Sequence, residues 1–172
     1  WIEPTGNNYY AISKVFSTGY TISNSCITYS STTPFAITDN SAYVTKVINV
    51  PTTGTISDVN ITMNITHPNM QNLLVAFTAP NQPIVNLFNQ SCSGNANFNG
   101  TFDSQGAAMV CASPITGTFS LPTGATLNNL TGLNKLGNWT FAFKDLVVGQ
   151  TGTVNSINLE ICSQTLVPIV TA

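Results

Sequence analysis

Charge is what this sequence has least of. Asp, Glu, Lys and Arg make up 6% of its 172 residues, where a soluble globular domain carries about 25%. Arginine is missing altogether, and the lysines, Lys14, Lys46, Lys135 and Lys144, are scattered. Neutralising a phosphate backbone takes a patch of cations, so nucleic acid is excluded as a partner. Histidine is reduced to His67. That excludes a His-Glu-x-x-His zinc site and leaves one imidazole to serve as the base of any nucleophilic site. No Gly-x-Ser-x-Gly elbow is present, and His67, in Thr66-His67-Pro68-Asn69, reads as a side chain that orients a turn. The few acids form no recognisable facing pair of the kind glycoside hydrolysis uses. Long apolar runs are missing too, and nothing approaches the roughly 20 residues that span a bilayer. The expectation is a domain without catalytic machinery of its own and without a membrane partner.

What is present is β-structure. From Ile56 to Ile65, Val59, Ile61, Met63 and Ile65 fall on one face, and Asp58, Asn60, Thr62 and Asn64 on the other, as a half-buried strand requires. Leu73, Val75 and Phe77 repeat the pattern. So do Trp139, Phe141 and Phe143, and Ile157, Leu159 and Ile161. Shorter strands are expected around Thr45–Val50, Ile84–Phe88, Asn97–Phe102 and Gly117–Leu121. Gly- and Pro-bearing breakers separate them, at Pro51 to Gly54, Pro80 to Pro83, Gly94 to Gly100, Pro122 to Gly124 and Gly149 to Gly152. No stretch holds a helical apolar stripe. The fold class is all-β, a sandwich or barrel of short strands.

Cys26, Cys92, Cys111 and Cys162 are too widely spaced for a Cys-x-x-Cys zinc or redox motif. In so polar a chain they read as disulfides of an oxidising, extracellular compartment. Of three possible connectivities we expect Cys92 with Cys111, closing a Gly/Asn-rich excursion, and Cys26 with Cys162, tying the opening strand to the last. Residues 1–25 read as an N-terminal extension or edge strand, 26–162 as the sandwich, and 163–172 as a C-terminal tail or linker. The chain starts at Trp1 and reads as a piece of a larger polypeptide. Trp1, Tyr9, Tyr10, Tyr20, Tyr29 and Tyr43 crowd its first quarter and are candidates for an interface. Oxygen-rich turns make Asp103, Asp39 and Asp145 candidate calcium ligands, since that cation takes six to eight oxygens.

Four segments, taken in order, resemble the P-domain (Homo B domain) that follows the catalytic domain in proprotein convertases and many secreted bacterial proteases. Ile37-Thr38-Asp39-Asn40 is similar to its opening Ile-Pro-Asp-Asn, and Ile56 to His67 to its alternating strand. Leu73 to Pro80 is similar to its Leu-x-x-x-Leu-x-Ser-Pro segment. Gly137-Asn138-Trp139 through Asp145 and Gly152-Thr153-Val154-Asn155-Ser156 resemble its closing run. Three positions depart from that pattern: Asn72 replaces an Asp, Gln82-Pro83 a Gly-Thr turn, and Ser104 a second Asp beside Asp103. The resemblance implies a jelly-roll-like β-sandwich of about eight or nine mostly antiparallel strands. It implies a secreted, non-catalytic accessory domain whose partner is the catalytic domain of the same polypeptide. An extracellular protein or glycan is a further partner it would allow. The alternative from a different class is a carbohydrate- or protein-binding module of an extracellular adhesin, since fold alone does not choose a function.

Overall fold

Alternating side chains become two facing sheets. The computed structural model describes residues 19–39, 42–122 and 124–169. Its strands are β1 (Gly19–Ser31), β2 (Phe35–Ile37), β3 (Val44–Val50), β4 (Thr55–Thr66), β5 (Leu73–Thr78), β6 (Val85–Asn89), β7 (Phe98–Ala107), β8 (Ile115–Phe119), β9 (Gly137–Asp145) and β10 (Gly152–Ile169). One sheet has six strands in the order β1-β10-β4-β7-β8, with the short β2 also paired to β10; the other has the order β3-β9-β5-β6. All pairings are antiparallel except β7 with β8. Among the described residues, helix is confined to single 3-10 turns at Met70–Asn72 and Leu127–Leu130, so the fold is the all-β sandwich that the patterning called for.

The inner rows are the expected ones. Val59, Ile61, Met63 and Ile65 of β4 and Ile157, Leu159 and Ile161 of β10 face Val75, Phe77, Trp139, Phe141 and Phe143 across the core. Trp139 lies parallel to Phe77 with centroids 6.3 Å apart, and its indole N–H donates to the Lys135 carbonyl at 3.1 Å. The buried polar group of the indole is thereby satisfied. The outward row of the six-stranded sheet, with Thr28, Asn60, Thr62, Thr101, Asp103, Asn158 and Glu160, carries hydroxyls, amides and carboxylates. This face stays wet while its reverse is dry.

Both disulfides are present, Cys26–Cys162 and Cys92–Cys111. The first joins residues directly opposite in the β1–β10 ladder; the second ties the β6–β7 loop to the β7–β8 connection. The edges of the sequence reading move. Strand β8 begins at Ile115, two residues earlier than expected, because parallel pairing sets Ile115 opposite Phe98. Strand β1 begins at Gly19, so residues 19–25 belong to an edge strand. Strand β10 continues to Ile169, into the stretch expected as a C-terminal tail or linker, because Gln164 to Ile169 pair with Asn24 to Gly19. Trp1, Tyr9 and Tyr10 lie outside the described residues.

Candidate functional site

Loops from both sheets meet at one end of the sandwich, and His67 is their hub. His67 directly follows the last residue of β4 and is fully buried. Its Nδ1 faces the main chain of Asn69, 2.8 Å from the carbonyl and 3.2 Å from the N–H, so either tautomer finds a partner there. On the other side of the ring, Nε2 lies 3.0 Å from Oδ2 of Asp145, the last residue of β9 and equally buried. The remaining oxygen of Asp145 accepts the Val147 N–H at 3.0 Å. A buried carboxylate needs such partners to persist.

Around this pair the loops are stitched by main-chain and amide bonds. The Asn97 side chain accepts the His67 N–H at 3.0 Å, and the Asn97 N–H donates to the His67 carbonyl. Asn69 Oδ1 accepts from both Gln71 and Gly94. Asn72 accepts the Leu146 N–H on its carbonyl and donates its side-chain amide to Gln150 at 3.0 Å. Asn72 is thus a hydrogen-bond donor where a carboxylate could only accept. Gly152 lies against the imidazole, and a Cβ there would stand 2.6 Å from its Cδ2; only glycine fits.

The product of this stitching is a rigid loop between β9 and β10 with an apolar tip. Leu146, Val147 and Val148 are exposed in succession, Val148 by 69%. Asp145 fixes one side of the loop and Asp39 the other, its Oδ2 accepting the Gly149 N–H at 2.8 Å. Three adjoining aliphatic side chains held out to solvent suit contact with another protein surface.

The acids proposed as calcium ligands do not converge. Asp39 and Asp145 brace the same loop, but Asp145 is committed to His67 and Val147. Asp103 lies apart, on the outward face of β7, with Oδ1 accepting the Gln105 N–H at 2.8 Å. Ser104, in place of a second acid, bonds the Thr126 hydroxyl. Asp39 Oδ1 is buried with no hydrogen-bond partner among the described residues, and Asn40 lies outside them. Among the described residues no three His, Cys, Asp or Glu side chains gather as a metal site would need. The three acids are not brought together as one donor set.

The proprotein convertase P-domain family matches residues 56–161, from the start of β4 to the end of the β10 core row. The chain belongs to the proprotein convertase P-domain family. This P-domain is similar in fold to a serine protease of Aeromonas sobria. The match to the protease alone has a TM-score of 0.51 and 13% identity, and covers 83% of this chain. The match to the protease in complex with the chaperone has a TM-score of 0.51, 12% identity and 84% coverage. The P-domain spans 27% of the length of those protease chains. No curated protein sequence matches it significantly. P-domains are accessory domains of proteases. His67 is held between the Asp145 carboxylate and the Asn69 main chain.

Proposed function

We propose that this P-domain is the non-catalytic accessory domain of a secreted endopeptidase, supporting the folding, stability or substrate engagement of a catalytic domain in the same polypeptide. The family match over residues 56–161 carries the reading. The braced apolar tip at Leu146 to Val148 supports it, because an accessory domain acts by burying surface against its neighbour, about 600–1,500 Å² for domains of one chain. The two disulfides support an extracellular setting, and no helix of the described residues is long and apolar enough to cross a membrane.

The test replaces Leu146, Val147 and Val148 together by Ser in the parent polypeptide and follows protease activity during heating. The P-domain itself is expected to remain folded, since the three side chains contribute nothing to the core. The half-life of activity is expected to shorten by about tenfold, equivalent to about 1.4 kcal/mol of lost contact. An unchanged half-life, with equal yield of active protease when the whole domain is deleted, would overturn the reading. A strong hit for the isolated domain on a glycan array would favour the adhesin-module alternative.

A further inference from the structure

Sheet edges present unpaired main-chain donors and acceptors, and proteins blunt them in recognisable ways. Most edges of this sandwich are blunted. Strand β8 has five residues, a break in register and Gly117 at φ 143°. Strand β6 also has five, with a bulge against β5. Strand β3 places Lys46 in its middle, and β2 has three residues.

Strand β1 is the exception. It runs for 13 residues, Gly19–Ser31, and holds an unbroken register with β10 throughout. It contains no proline and no charged residue, and Tyr20, Thr21, Ile22, Ile27, Thr28 and Tyr29 are all good strand formers. Among the described residues no strand pairs with its outer side. Tyr20, Ile22 and Ile27 are exposed on it, and Leu166, Val167 and Ile169 on the stretch of β10 beside it. Tyr20, Ile22, Leu166 and Pro168 share one face by register. The family match covers residues 56–161 and so does not include β1.

We infer that the outer edge of β1 is an interaction surface whose partner is a second copy of this chain. A strand that meets its own copy across a two-fold axis does so antiparallel, in an isologous contact. A strand without charge meets no like-charge repulsion in that arrangement. The longest overlap centres on Ser25, setting Thr21 opposite Tyr29, an aromatic–β-branched pair of the favourable cross-strand kind. The two six-stranded sheets then run on as one.

Sedimentation velocity of the full chain across a micromolar concentration series tests the inference, with amide exchange of residues 19–31 measured alongside. The expected result is twice the mass of one chain at high concentration, and exchange of β1 amides that slows as concentration rises. The variant Asn24→Lys/Thr28→Lys places charge along the seam at two exposed positions outside the core and is expected to weaken the dimer by about tenfold or more. Circular dichroism unchanged from the parent shows that the variant folds. A monomer throughout the series would overturn the inference, as would a dimer that the variant leaves intact. So would β1 protection that is independent of concentration and disappears when residues 1–18 are removed, because the chain's own N-terminal segment would then be the occupant.

Discussion

Two buried side chains set the architecture of the loop end. His67 and Asp145 are 78 positions apart, yet each completes the hydrogen bonding of the other in a place that water does not reach. Replacing Asp145 by Ala leaves the imidazole facing an empty, apolar gap and frees the Val147 N–H. The expected loss is about 3 kcal/mol, seen as a lower urea midpoint, with Asp145→Asn losing less because the amide oxygen can still accept. Equal stability of D145A and the parent would mean that the pair contributes nothing. The sequence disclosed one half of this arrangement. His67 stands before a proline at the end of an alternating strand, so its service to a turn was legible. Asp145 was read as a candidate cation ligand, because an acid beside a glycine-bearing loop looks alike in both roles and spacing does not show that the chain will bring it to His67. Nor did anything mark Lys135, which is buried with its ammonium 3.0 Å from the Ser163 hydroxyl; only the folded path of β10 brings that hydroxyl within reach.

Strands with strict alternation were the most legible elements, since one buried face and one wet face leave little choice of register. β4, β5, β9 and the core of β10 lie where the apolar rows predicted. Termini of strands were less legible because pairing, not composition, decides where they stop: β10 goes on past Cys162 for as long as β1 lies beside it. Between these two strands the Cys26–Cys162 bridge closes a loop with a sequence separation of 136. The double variant Cys26→Ser/Cys162→Ser is expected to lose about 5 kcal/mol in the loop-entropy account, measured as a drop in chemical-denaturation midpoint. The first seven residues of β1 should then exchange their amides faster than the sandwich core. A midpoint equal to that of the parent would show that the remaining β1–β10 ladder suffices alone.

For the whole molecule, the order of weak motifs said more than any one of them, and the family match over residues 56–161 spans the segments from β4 to β10 that carry most of them. Calcium was the less legible part, since Asp and Asn make turns with or without a cation. With Asp39, Asp103 and Asp145 serving separate main-chain N–H groups, adding a chelator is expected to shift the unfolding temperature by less than about 1 °C, because only a ligand that binds the folded state raises it. A shift of several degrees, restored by calcium, would show a site assembled from carbonyl and amide oxygens instead. A last consequence belongs to the paired ends of the described chain. Gly19 lies opposite Ile169, so tension applied to these two ends peels β1 from β10 one residue pair at a time, like a zipper. The peeling halts at the covalent cross-link between Cys26 and Cys162, beyond which the load passes through sulfur and the sandwich bears none of it. Under shear or on a tethered surface, the domain would therefore lengthen by a short, fixed increment and then hold.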